Sequence, residues 1–355
     1  MRKTIFLVII LLLSANLSTG VWSLPVNEYL VFSQIVDGQK VIYSYQPDSQ
    51  ALNRVVQGKN LSVFLQGKYF LYFNEQKLFQ YNIATQEATE LAAFKEKELY
   101  LEVIPDGPEQ ALVVAKDGYD FNWYILELSD GSFRRVMRPP SGSGGSNTPK
   151  LASPDKKATA VIKTPAFSQN FSLSIEERVN GRKKTSWSMP QDMTIIPDWP
   201  VWSPDSKRIA FYAKKADGFE GFYSLYLLDL AEKELVLVED QVFAKYIFSN
   251  IGMKSFIPAW SDDSQFLIFQ SQPNGLPNRS LIVKYHVATG KKQILTQSAG
   301  SNDYPVWSLT DRYISFLSNR ETTERQLFII DPQGADLERV SPQEGFTEWA
   351  EWYRP

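Results

Sequence analysis

A tryptophan-centred motif recurs along the second half of this chain. Pro200, Val201, Trp202, Ser203, Pro204, Asp205, Ser206 returns as Pro258, Ala259, Trp260, Ser261, Asp262, Asp263, Ser264 and again as Pro305, Val306, Trp307, Ser308, Leu309, Thr310, Asp311. A partial copy, Glu351, Trp352, Tyr353, Arg354, Pro355, ends the sequence. The steps from Trp202 to Trp260, Trp307 and Trp352 are 58, 47 and 45 residues, a period that belongs to repeat architectures. Each copy leads into an apolar run such as Ile209 to Tyr212, and the turn residues between runs give four short strands per unit.

The frame extends upstream of the clear copies. Ser153, Pro154, Asp155 precede Ala158 to Ile162 as Ser203, Pro204, Asp205 precede Ile209 to Tyr212, with Ala152 in the place of the tryptophan. Ile104, Pro105, Asp106, Gly107 lead likewise into Ala111 to Ala115. The steps from Pro105 to Pro154 and Pro204 are 49 and 50 residues, so the period holds. A weaker unit spans Leu61 to Ala92. Before it stand only three strands, Tyr29 to Ser33, Val41 to Tyr45 and Leu52 to Val56. The missing strand is supplied if Trp349 to Arg354 returns to pair with Tyr29 to Ser33.

A four-stranded sheet has two apolar faces that it cannot bury alone, and radial stacking covers both while leaving only short edges. The sequence therefore predicts an all-β fold, a closed β-propeller of four-stranded blades, with the ring shut by the C-terminal strand on the N-terminal blade. Seven units beyond residue 20 average about 48 residues each, close to the usual length of a propeller blade. Seven blades are favoured, and six result if the two weakest N-terminal units merge. Hydrophobic residues make up 43% and aromatics 14% of the chain, enough to fill such a core.

Residues 1–20 read as a signal peptide: Arg2 and Lys3, the apolar run Ile5 to Leu13, then small residues to Gly20. Cleavage is expected after Gly20, or failing that after Ser23, and residues 21–355 form the propeller domain. The alternative is an uncleaved signal anchor. The chain has no cysteine, so no disulfide and no lipidated N-terminus is expected, and packing alone must hold the fold. Removal of Arg2 and Lys3 would take the formal charge from −3 to −5 without like-charge blocks, which argues against a nucleic-acid partner. A periplasmic or secreted monomer with no membrane span after signal removal is expected.

The motif and the runs Leu225 to Asp229 and Leu327 to Asp331 resemble the repeats of the TolB-type β-propeller family. The resemblance is specific over residues 195–355 and faint, though in frame, over 28–194. It implies a periplasmic or secreted propeller serving as a protein-interaction platform. The type member carries an α/β domain ahead of six blades, whereas here the blades begin almost directly after the signal. Similar repeats form the propeller of prolyl-oligopeptidase-type peptidases, but no hydrolase domain and no Gly-x-Ser-x-Gly elbow is present.

No catalytic, cofactor-binding or metal-binding residue is assigned from the sequence. His286 is the only histidine; it sits in a strand between Tyr285 and Val287 and reads as structural. Asp106, Asp155, Asp205 and Asp263 recur in the turn after the first strand, where capping explains them better than acid chemistry or Ca²⁺ binding. The sialidase-type Ser-x-Asp-x-Gly is not met, because after Ser206 and Ser264 it is Lys207 and Gln265 that occupy the glycine position. Trp202, Trp260, Trp307 and Trp352 share one blade position, which points to inter-blade packing. The connection Gln241 to Phe256 is more apolar than a solvated loop needs. It packs under the propeller or forms a partner-binding patch through Phe243, Tyr246, Phe248 and Met253. The reading is an exported, non-enzymatic scaffold for a protein, peptide or glycan. Its alternative is a propeller hydrolase or lyase with carboxylates, tyrosines or arginines at a central-channel mouth. No cofactor is expected, and Ca²⁺ in the channel is left open.

Overall fold

The computed structural model describes residues 27–58, 61–66, 69–95, 98–103, 110–117, 120–136, 150–163, 171–179, 182–196, 200–215, 222–244, 257–272, 279–297 and 300–354. The expected signal peptide 1–20 and Asp106 lie outside the described residues. Every regular element among them is a strand, and the strands form seven antiparallel sheets taken in chain order.

The first sheet contains β1 (Tyr29–Val36), β2 (Gln39–Gln46) and β3 (Ala51–Gly58). The second contains β4 (Leu61–Gln66), β5 (Tyr69–Asn74), β6 (Lys77–Asn82) and β7 (Glu87–Ala93). The third contains β8 (Glu98–Val103), β9 (Gln110–Asp117), β10 (Asp120–Glu127) and β11 (Phe133–Val136). The fourth contains β12 (Lys150–Ala152), β13 (Ala158–Lys163), β14 (Ser172–Val179) and β15 (Arg182–Ser188). In the fifth, β16 (Met193–Ile195) and β17 (Val201–Trp202) both pair with β18 (Arg208–Lys215), followed by β19 (Phe222–Asp229) and β20 (Glu234–Ala244). The sixth holds β21 (Ala259–Trp260), β22 (Phe266–Ser271), β23 (Leu281–His286) and β24 (Lys292–Ile294). The seventh holds β25 (Asn302–Trp307), β26 (Ile314–Ser318), β27 (Gln326–Ile330) and β28 (Glu338–Arg339).

The final strand, β29 (Phe346–Tyr353), completes the first sheet by pairing with β1, from Tyr29 opposite Tyr353 to Ile35 opposite Phe346. The expected return of the C-terminal tryptophan segment is therefore present. Two boundaries differ from the sequence reading. The first strand of the fifth sheet comes in two pieces, since Met193–Ile195 also finds partners on β18. The fourth strand of that sheet runs on to Ala244, so Gln241 to Ala244 is strand and not loop. Phe243 there faces Tyr223 in the register.

Burial follows strand position. The second and third strands are covered on both faces, as in the fully buried Ile314–Ser318 and Gln326–Ile330, whereas the fourth strand Lys292–Ile294 is exposed throughout. Short continuous apolar runs are what such doubly covered strands require. Neighbouring sheets share the clusters that cover them. Leu225 and Tyr212 of the fifth sheet pack with Leu267 and Phe269 of the sixth, and Ile268 of the sixth with Phe316 and Phe328 of the seventh. Leu327 of the seventh packs with Phe32 and Trp352 of the first, and Val31 of the first with Phe70 of the second. The second and third sheets meet through Phe73 and Val113, the fourth and fifth through Ile162 and Phe211. On its other face the third sheet buries Leu112, Val114 and Ile125 in a cluster of its own.

Three of the motif turns are built the same way. Ser203 donates to Asp205 Oδ1 at 2.6 Å and accepts from the Arg208 N–H at 2.9 Å, while Lys207 N–H reaches Asp205 Oδ1 at 3.0 Å. Ser153 with Asp155 and Ser261 with Asp263 repeat these bonds. The next residue is left-handed in every copy: Lys156 at φ 60°, Ser206 at 62°, Ser264 at 60° and Asp311 at 56°. Non-glycine residues are uncommon there. Three of them use their side chains to join turn to turn: Ser206 Oγ accepts from Asp155 N, Ser264 Oγ from Asp205 N, both at 3.0 Å, and the Asp311 carboxylate from Asp262 N at 2.9 Å. Where the seventh sheet meets the first, Glu28 serves instead. It lies just ahead of β1, is 2% exposed, and accepts from Thr310 Oγ1 at 2.6 Å.

Candidate ligand-binding rim

The motif rim is a structural seam. Trp202 Nε1 donates to Leu151 O at 3.0 Å, Trp260 Nε1 to Val201 O at 3.3 Å and Trp307 Nε1 to Ala259 O at 3.2 Å. Each indole thus reaches the carbonyl just before the equivalent position of the previous sheet. Trp352 reaches the same place through a relay, donating to Ser315 Oγ at 3.0 Å, which in turn donates to Val306 O at 3.5 Å. The tryptophans pack between sheets, and Asp155, Asp205 and Asp263 cap turns, as the repeat position implies. His286 Nδ1 lies 2.7 Å from Thr289 Oγ1, with its ring against Phe266 at 4.9 Å, and is likewise structural.

The opposite rim, where first strands begin and second strands end, does not repeat. Asn302 and Asp303 open β25, and both are buried. Asp303 Oδ1 accepts from Gln270 Nε2 at 2.8 Å and Ser280 Oγ at 2.9 Å, and Oδ2 pairs with Arg325 Nη2 at 2.8 Å. Burial raises the Asp303 carboxyl above its ordinary value, and the Arg325 charge and the Ser280 hydroxyl pull against that shift. Asn302 Oδ1 accepts from Ser318 Oγ at 2.9 Å and Arg320 Nη2 at 2.6 Å. At the next junction Gln326 donates to Gly345 O at 2.7 Å and accepts from Ser341 Oγ at 2.7 Å, and Gln34 donates to Pro342 O at 2.9 Å. Buried acceptors on Gln34 and Gln270 are left without a partner among the described residues.

Among the described residues, the same place between the fourth and fifth sheets is open. A cavity of about 360 Å³ lies there, walled by Phe171, Leu173, Met189, Pro190 and Met193, with Lys163, Gln191 and the serines 172, 174 and 188 around them. The main chain is arranged as at the filled junction: Ile195 N–H donates to Phe171 O at 3.0 Å, as Thr347 N–H donates to Arg325 O at 2.8 Å. Only the side chains differ. Sequence reading missed this rim because its residues follow no common pattern from unit to unit. Of the patch expected at Phe243, Tyr246, Phe248 and Met253, Phe243 belongs to β20 and the other three lie outside the described residues. Among the described residues no group of three or more His, Asp or Glu is placed to hold a metal ion.

No protein-family model matches the chain, and no curated protein does. Solved structures do. A eukaryotic initiation factor superposes with a TM-score of 0.56 at 12% identity over 93% of this chain and 99% of that one. Oligogalacturonate lyase from Vibrio parahaemolyticus gives 0.53 at 12% identity over 85% and 86%. TolB from Acinetobacter baumannii gives 0.43 at 14% identity over 79% of this chain and 66% of that one, so this chain spans just under two thirds of that TolB. The fold is a β-propeller. At these identities the likeness speaks for fold alone.

Proposed function

We propose that this propeller is an exported, non-enzymatic scaffold whose seven blades close into a ring and whose non-repeating rim binds a protein or peptide partner. Ring closure draws support from β29 on β1 and from the clusters that link the fourth blade through the seventh, first and second to the third. Residues 1–20 favour export, and no helix among the described residues is long and apolar enough to cross a membrane. The observation that carries the binding role is the cavity of about 360 Å³ between the fourth and fifth blades. Its volume falls in the range of ligand pockets, and its apolar wall edged by hydroxyls suits an aliphatic or aromatic side chain entering beside a peptide backbone. A glycan would ask for more hydrogen-bonding groups and less methionine.

Display of random heptapeptides against the purified protein tests this. Enrichment of sequences sharing one large apolar residue is expected, with binding lost in Ser188→Trp, which fills the cavity from its exposed lip. The absence of any enriched sequence, or binding indifferent to Ser188→Trp, refutes it. A second reading, a hydrolase or lyase, is favoured by one observation only: Asp303, Arg325 and Arg320 gather on this rim, and burial raises the Asp303 carboxyl toward use as an acid. Turnover of a glycan or peptide that is abolished in Asp303→Asn would establish it in place of the scaffold.

A further inference from the structure

We propose that Arg320 is the anchor of a carboxylate-binding subsite on this rim, taking a carboxylate that a partner peptide presents. The proposal rests on the reading of the rim as a peptide-binding face. Arg320 follows β26, where its guanidinium lies over the rings of Phe316 at 5.1 Å and Phe328 at 4.9 Å. Its Nε donates to Ser318 Oγ at 3.1 Å and its Nη2 to Asn302 Oδ1 at 2.6 Å. A plane held by two ring faces and two neutral acceptors has little freedom left, so a further bond costs little additional entropy. Both acceptors are neutral, however, and the cation has no carboxylate within ion-pair distance among the described residues. The nearby acids are committed elsewhere: Asp303 to Arg325 at 2.8 Å and Glu321 to Arg339 at 2.7 Å.

Half-burying a guanidinium without a paired carboxylate is unfavourable, and burial lowers the Arg320 pKa, with the charge of Glu321 pulling the other way. The repeat does not call for it. Lys215 holds the corresponding place in the fifth blade and Val36 in the first, counted from the partners of Trp202 and Trp352. Nη1 bears no bond to any of the described residues, and the guanidinium edge with its parallel N–H groups matches a carboxylate in fork geometry.

The test follows the Arg320 Nε–Hε resonance in protein labelled with ¹⁵N-arginine, assigned by its disappearance in Arg320→Lys. Titration with N-acetylglycine is expected to shift it saturably, while N-acetylglycinamide leaves it in place. Arg320→Gln should lose at least about tenfold in affinity at an unchanged melting temperature, and Arg320→Lys should keep part of it. Equal response to acid and amide, or no response to either at tens of millimolar, overturns the proposal in the wild-type protein, whatever the variants do. Heptapeptides ending in a free carboxylate, the same peptides amidated, and amidated peptides with an internal glutamate then separate a C-terminal from a side-chain source. Binding of N-acetylglycine without any peptide binding would uphold the subsite and remove the peptide reading of the rim.

Discussion

The hydrogen-bond relay between the first and seventh sheets can be measured as a coupling energy. Trp352 is 5% exposed, stacks on Tyr313 with centroids 6.2 Å apart, and donates its indole N–H to Ser315 Oγ at 3.0 Å. Trp352→Phe removes one hydrogen bond, worth about 1 kcal/mol net, and leaves Ser315 short of a donor. The smaller ring also gives up buried volume, adding about 1–2 kcal/mol, so a loss of about 2–3 kcal/mol is expected. Ser315→Ala strands the buried indole N–H and frees the Val306 carbonyl, at a cost of about 1–3 kcal/mol. In the double variant donor and acceptor vanish together, so the loss should fall short of the sum by about 1 kcal/mol. Urea unfolding followed by far-ultraviolet ellipticity, with equal slopes required of all four proteins, yields the cycle. A coupling below about 0.3 kcal/mol would mean that the two side chains act independently, and the relay would be a matter of proximity alone.

Three further outcomes are expected. Gly345→Ala should destabilise by upwards of about 3 kcal/mol, because at φ +79° its Cβ would stand 2.1 Å from Ile35 O, beside the pairing of β29 with β1; a melting temperature within a degree or two of wild type would refute this. Ser206→Ala should cost about 1 kcal/mol by losing the Asp155 N–H, while Ser206→Gly should be nearly neutral because relief of the left-handed strain offsets the lost bond; equal losses would count against the turn-to-turn link. For Asp303 the folded carboxyl titrates above its unfolded value, so its stabilising contribution is complete below the unfolded pKa and is lost as pH rises through the folded one. The melting temperature of Asp303→Asn minus that of wild type should therefore grow from about pH 4 upward, and a difference flat with pH would show that Arg325 cancels the effect of burial.

Period and strand content were legible because the same geometric demand recurs at successive junctions. Trp202, Trp260 and Trp307 must each reach a carbonyl of the previous blade, and Ser203, Ser261 and their aspartates must close equivalent turns, so the residues repeat. The return of β29 was legible for the same reason, since an isolated tryptophan copy has no other partner. Extension of β20 to Ala244 was hidden because Gln241 to Ala244 carries no turn residue that distinguishes apolar loop from strand. The second piece of a first strand, Met193–Ile195, was hidden because Pro200 suggested that the strand began there. Nothing in the sequence marked the cavity, whose walls come from the end of β13, from Phe171 and the start of β14, from the end of β15 and the turn after it, and from β16.

The two rims therefore answer to different constraints. On the motif rim each side chain serves the junction itself, so a change there is felt in the fold. On the other rim the main chain already supplies the seam, through Ile195 N–H to Phe171 O and Thr347 N–H to Arg325 O. Side chains are then free to fill the space with a paired carboxylate at Asp303, with amides at Gln34 and Gln326, or, among the described residues, to leave a cavity between the fourth and fifth sheets. A surface on which substitution leaves the blade-to-blade hydrogen bonds intact is where a repeat fold can acquire specificity, because recognition resides in sites placed on the fold. Substitutions at Ser188 or Arg320 should accordingly move binding and leave stability nearly unchanged, while substitutions at Trp352 or Gly345 should do the reverse, and comparable losses of stability at all four positions would dissolve the distinction.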